Sequence, residues 1–226
     1  MSALAFSFHG QEFVARPSGA LFWPAQGALI VADLHLGKSE RMARRGGALL
    51  PPFETAATLA RLEGELAASG AARLIALGDS FDDDLAAEAQ GAAITGLCAR
   101  ADVTWICGNH DPRLSSGLPG QQCAELQVAG LALRHIAGQG PDISGHYHPK
   151  LRLAGARHPA FLIGAAHLIL PAFGEYTGGL DWPDGPLQAL VPEGRAILTG
   201  ARALMVPLPL PARRSRPRHL RAGPMR

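Results

Sequence analysis

With 226 residues, 47% of them apolar and 18% charged, the chain is long enough for one large core and too apolar to be disordered. A formal net charge of +2 is too small to name a partner, and three cysteines with no close pair (Cys98, Cys107, Cys123) argue against a disulfide framework or a cysteine-rich zinc site. The first ten residues have no basic region and no long apolar core, so no signal peptide is expected. The most apolar stretch, 159–173, is broken by His167 and two prolines, so no membrane span is expected and the protein reads as cytoplasmic.

Alternating runs at 4–8, 12–15 and 20–23 predict strands of a meander, and the continuous apolar run 28–32 predicts a strand buried on both faces. A helix is predicted over 53–69, after two prolines, with Leu59, Leu62 and Leu66 at helical spacing and Gly70 as its stop. Buried strands at 73–77 and 103–107 flank a second helix at 85–100. Beyond them the pattern turns to strands: 126–128 and 131–134 around the hairpin signal Ala129-Gly130, then 161–163, 168–170, 187–191, 196–198 and 203–206. Strand–helix units followed by strands predict an α/β fold of two packed mixed sheets flanked by helices, with one domain over 1–206. Residues 207–226, with six arginines and no acid, read as a flexible tail.

Four polar clusters each follow an apolar strand-like run: Asp33-Leu34-His35, Gly78-Asp79, Gly108-Asn109-His110-Asp111 and His135. A fifth, Gly145-His146-Tyr147-His148, follows a short run at 142–144. Carboxyl ends of neighbouring strands gather along one sheet edge, so residues distant in sequence should meet there. Imidazole, carboxylate and amide oxygen donors without thiolate suit manganese, iron or zinc. Asp82, Asp83 and Asp84 read instead as the N-cap and first-turn acids of the next helix. Lys38, Arg41, Arg44 and Arg45 form either a solvated helix face or a phosphate-contacting rim, with Lys38 and Arg41 the candidates for contact. His167 reads as a strand histidine, His9, His158 and His219 as surface groups, and Cys107 as a small core residue.

In order and wording, the series D-x-H, G-D, G-N-H-D, a lone H and G-H-x-H resembles the five signatures of the calcineurin-like metallophosphoesterase superfamily. Within it, Asp33-Leu34-His35-Leu36-Gly37-Lys38, Leu77-Gly78-Asp79-Ser80-Phe81 and Leu170-Pro171-Ala172-Phe173-Gly174-Glu175-Tyr176-Thr177-Gly178-Gly179 are similar to the bacterial ligase-associated DNA damage response endonucleases. That group often carries a histidine where this chain has Asp82. The resemblance implies an αββα sandwich holding two divalent cations, manganese first, with iron or zinc as alternatives. Asp33, His35 and His148 would hold one cation, Asp79 would bridge, and Asn109, His135 and His146 would complete the other. His110 would stabilise or protonate the leaving oxygen, and Asp111 would orient His110. The implied substrate is DNA or another phosphodiester, and the implied partners are a DNA ligase, a helicase and a nuclease of a repair system.

Two alternatives stay within the superfamily: a phosphomonoesterase, and a nucleotide pyrophosphatase acting on a lipid nucleotide. The second group shares Asp-Leu-His-Leu but usually has arginine where this chain has His110. The alternative from another class is a non-catalytic scaffold, which should have broken ligand positions.

Overall fold

The computed structural model describes residues 2–47, 50–112 and 117–211. Residues 212–226, the greater part of the arginine-rich tail and His219 with it, lie outside the described residues. In chain order the elements are β1 (Leu4–Phe8), β2 (Gln11–Ala15), β3 (Leu21–Trp23), β4 (Ala28–Val31), α1 (Lys38–Arg44), α2 (Glu54–Ser69) and β5 (Arg73–Leu77). There follow α3 (Asp84–Ala89), α4 (Gly91–Cys98), β6 (Asp102–Ile106), β7 (Gln121–Cys123), β8 (Glu125–Val128), β9 (Leu131–Arg134) and β10 (Asp142–Ser144). The chain ends with β11 (Lys150–Leu153), β12 (Ala156–Ile163), β13 (His167–Ile169), β14 (Asp181–Trp182), α5 (Gly185–Leu190), β15 (Gly194–Leu198) and β16 (Leu204–Leu208).

Two mixed sheets pack face to face. The first is 7-stranded, in the order β1-β2-β3-β4-β5-β6-β7; β1 to β4 pair antiparallel and β4 to β7 parallel. In the second, β9, β10 and β13 run parallel, β8 pairs with β9 as a hairpin, and β12 links β13 to β11 and β15. Alternation along each strand sends successive side chains to opposite faces. Ile30, Ile75, Leu77 and Ile106 thus meet Leu133, Ile143, Phe161 and Leu168 in a core between the sheets. Their neighbours Leu29, Val31, Leu74, Val103 and Trp105 pack outward against Leu62 and Leu66 of α2 and Ile94 and Leu97 of α4. A third cluster covers the outer face of the second sheet, with Leu187 of α5 on Leu151, Leu162, Ile169 and Trp182. The result is the αββα sandwich expected from the sequence.

Three local expectations need correction. Residues 187–191 belong largely to helix α5, not to a strand. Pro186 sits in its first turn, where a missing N–H costs nothing, and Leu187 and Val191, four apart, share the buried face. The helix expected over 85–100 is two helices, α3 and α4, because Gln90 (φ −93°, ψ 7°) leaves helical geometry between them. The last strand, expected over 203–206, is β16 and runs from Leu204 to Leu208. Among the described residues, no helix is long and apolar enough to cross a membrane.

Candidate metal centre

The motifs of the first sheet leave the carboxyl ends of the parallel strands β4, β5 and β6; those of the second leave β9 and β10. Backbone hydrogen bonds zip the turns together. Asp33 N donates to Gly78 O (3.2 Å), His35 N to Asp79 O (2.9 Å), Leu36 N to Ser80 O (2.9 Å) and Asp82 N back to Leu36 O (3.0 Å). The second sheet docks through Gly145 N to His135 O (3.0 Å) and through His146 N to the Asp33 carboxylate (2.9 Å). A Cβ at Gly108 would collide with Asp79 and one at Gly145 with Asp33, so these approaches require glycine.

Among the described residues three donor groups have ligand atoms within 4.8 Å of one another: two are built from the expected ligands, and a third joins His35 to Asp82 and His110. In the first, Asp33, His35 and His148 converge: His148 Nε2 is 3.4 Å from both Asp33 Oδ1 and His35 Nε2. In the second, His135 Nε2 lies 3.4 Å from Asp79 Oδ2, 3.1 Å from His146 Nδ1 and 2.9 Å from Asn109 Oδ1. All seven residues singled out as ligands therefore reach one place. His135 Nδ1 donates to the Leu77 carbonyl (2.9 Å), which can only accept, so Nε2 is left to face the cluster.

The chemistry of this donor set fits divalent cations. Unprotonated ring nitrogens and carboxylate oxygens pointing at a common centre are the ligands such ions take, and they repel one another without a positive charge between them. Backbone strain is concentrated at the same place. Asp33, His35, Asp79, His146 and His148 all have left-handed φ, between 45° and 70°. Each costs about 1–3 kcal/mol outside glycine, a cost met where packing over-determines the turn and the side chain must be aimed.

The electrostatics follow from the crowding. Burial works to raise the Asp79 carboxyl, but the hydrogen bond and charge of His135, the His110 amide and the His35 charge outweigh it and hold the group at about 2. Burial pushes His135 down, and the Asp79 and Asp33 carboxylates more than reverse it. Its neighbour His146 moves the other way, pushed down by burial and by His135, which favours the neutral imidazole that ligates.

Two positions differ from expectation. Asp82 is not a helix cap but a buried carboxylate in the site. Its Oδ1 accepts from His35 Nδ1 (3.0 Å) and lies 4.0 Å from His110 Nδ1, while its Oδ2 accepts from Arg41 (2.8 Å). Burial works to raise it, and His35 and Arg41 together bring it to about 2. The cap is Asp83, whose side chain accepts from Ala86 N (3.0 Å). The signal for Asp82 was its place next to the strand-end motif, which capping preference masked. Arg41 thus turns inward to Asp82 rather than lying on a solvated face; Lys38 opens the same helix.

Among the described residues, no hydrogen bond joins the Asp111 carboxylate to the His110 ring. That carboxylate accepts from the backbone N–H groups of Asp79 (3.0 Å), Ser80 (2.7 Å), Phe81 (3.2 Å) and Gly108 (2.8 Å). It holds together the two turns that carry Asp79 and Asn109. Burial pushes its carboxyl above the ordinary carboxylate range, against the pull of those amides. His110 instead stands half-buried, edge-on to His35 with ring centroids 5.1 Å apart, and its amide donates to Asp79 Oδ1 (2.8 Å).

No protein-family model matches this chain, and no curated protein does. A crystal structure described as the nuclease MPE of Pseudomonas putida matches it with 30% sequence identity and a TM-score of 0.72, covering 92% of this chain and 100% of that one. With identity at that level over the whole length of a solved relative, and with the donor clusters in place, the chain belongs to the family of that metallophosphoesterase-like nuclease.

Proposed function

We propose that this chain is a two-metal phosphodiesterase that cleaves nucleic acid. The observation that carries the reading is the convergence of two donor groups, Asp33 with His35 and His148, and Asp79 with His135 and His146, on one sheet edge. Asp33, His35 and His148 would hold one cation, and Asn109, His135 and His146 the other. Asp79, which the geometry groups with His135 and His146, would bridge the two as the motif resemblance implies. When bound, such ions, manganese first and iron or zinc as alternatives, would acidify a water and neutralise charge on the phosphoryl oxygens.

The chain's own residues supply the rest. The half-buried ring of His110, edge-on to His35 and 4.0 Å from Asp82 Oδ1, is poised to give a proton to the departing oxygen. Asp82 keeps the Nδ1 proton on His35 and so leaves its Nε2 free, which would hold the first cation. A nucleic-acid substrate is supported by the relative described as a nuclease, and DNA in particular by the motif resemblance. The role in repair, beside a DNA ligase, a helicase and a nuclease, follows from the motif resemblance.

The test is hydrolysis of bis(p-nitrophenyl) phosphate by metal-free protein reloaded with manganese, iron or zinc, alongside nicking of plasmid DNA. The expected outcome is metal-dependent turnover of the diester and of DNA, and none of p-nitrophenyl phosphate. A loaded protein inert on every diester sinks the reading; turnover of the monoester alone makes it a phosphomonoesterase. His110→Ala should lower turnover about 100- to 10,000-fold while the bound metal, measured by elemental analysis, stays the same.

A further inference from the structure

A cleft of about 560 Å3 is lined by His9, Gly164, Glu193 and Arg195 at the sheet edge opposite the motifs. A smaller one, about 360 Å3, adjoins the donor cluster itself. Asn109 and His135 form one of its walls, and Cys107, Ala124, Glu125, Arg134 and Ile136 the others. Ile136 directly follows His135 and stands 45% exposed on the cleft wall, so it can offer an apolar face to a ligand seated there.

We propose that this cleft seats the nucleobase next to the scissile phosphate; the proposal rests on the nuclease reading and names how the substrate is held. Three features favour a base over a second phosphate. The volume lies in the range of pockets for small ligands, near the lower end, which suits one nucleoside. Glu125 and Arg134 pair across the cleft wall at 3.3 Å, so their charges cancel and the wall offers an acceptor and donors without net attraction for an anion. Ile136 supplies an apolar face against which a planar ring packs, as bases pack on side chains in single-strand grooves. Because Asn109 and His135 belong to both cleft and cluster, a nucleotide seated here has its phosphate at the cations.

The experiment compares wild-type, Ile136→Glu and Ala124→Trp proteins loaded with manganese, on three substrates. These are a single-stranded oligonucleotide, the same strand with abasic sites flanking the cleaved bond, and bis(p-nitrophenyl) phosphate. Ile136→Glu puts a charge against the base, and Ala124→Trp fills the cleft from an exposed position on the far wall. The expected result is a rise in KM of about tenfold on the ordinary strand for both variants, little change on the abasic strand, and unchanged metal content. Wild-type protein should itself prefer the ordinary strand. Equal treatment of ordinary and abasic strands by wild type, or equal losses on both in the variants, overturns the cleft while leaving the diesterase intact. Wild type inert on all three substrates overturns the nuclease reading first.

Discussion

The two halves of the centre are braced by different means. Beneath Asp79 and Asn109 the support is backbone: the single buried carboxylate of Asp111 accepts from four amides and locks the turns after β5 and β6 against each other. Behind His35 the support is a chain of side chains, from Asp82 to Arg41 on α1. That helix is in turn tied to α2 through Ser39 and Glu54 (2.8 Å) and through the Gly37 amide and Thr55 (2.9 Å). A backbone brace holds the fold and the ligands together, whereas a side-chain brace can fail locally and leave the fold standing. The contrast predicts that damage on one side unfolds the protein and damage on the other only empties a cation site.

Asp111→Ala should therefore have the largest effect. It leaves four amides without their acceptor in a buried place and should lower unfolding stability by about 4 kcal/mol, read from chemical denaturation followed by circular dichroism. Asp111→Asn, which keeps one acceptor oxygen, should lose about half as much. Should Asp111→Ala prove as stable as Asp82→Ala, the two sides are braced alike and the distinction is wrong.

Asp82→Ala comes next and should act on metal rather than on fold. With no carboxylate at Nδ1, the His35 ring is free to turn and to change tautomer, and outer-shell losses of this kind cost about 10- to 100-fold in metal affinity or activity. One of two bound equivalents of manganese should weaken, in a titration followed by electron paramagnetic resonance, while the other holds. Arg41→Ala removes only the far end of the chain, and its loss should be a few-fold at most. If both equivalents weaken together under Asp82→Ala, the carboxylate serves the whole centre and not one half.

Most of this edge was legible in the sequence because each ligand turn follows an apolar run, and apolar runs end where a strand leaves the sheet. Asp33, Asp79, Asn109 and His146 could be placed at one edge from that rule alone, and their partners followed. Asp82 and Asp111 were not legible in the same way. Aspartate before a helix is a common cap, and nothing local distinguishes Asp82, which is buried, from Asp83, which caps. Asp111 stands beside His110 in sequence, yet three of its four partners lie 30 to 32 residues away on another strand end. Helix α5 escaped because five apolar-rich residues fit either period, and its packing on Trp182 and Leu151 decides between them.

The smallest expected effects test whether the acids at 82 and 83 are truly different in kind. Asp83 accepts from the first turn of α3 and also meets Arg44 on the surface at 2.5 Å. The cap satisfies an amide that has no helical partner, so Asp83→Ala should cost about 1 kcal/mol of stability, and Asp83→Asn or Asp83→Ser should restore most of it. The ion pair is exposed to water and screened by salt, so Arg44→Ala should change stability by less than about 0.5 kcal/mol. Neither should alter the amount of manganese bound, because neither touches His35. A fall in bound metal in Asp83→Ala equal to that in Asp82→Ala would mean that α3 itself, and not the Asp82 carboxylate, holds the histidine in place.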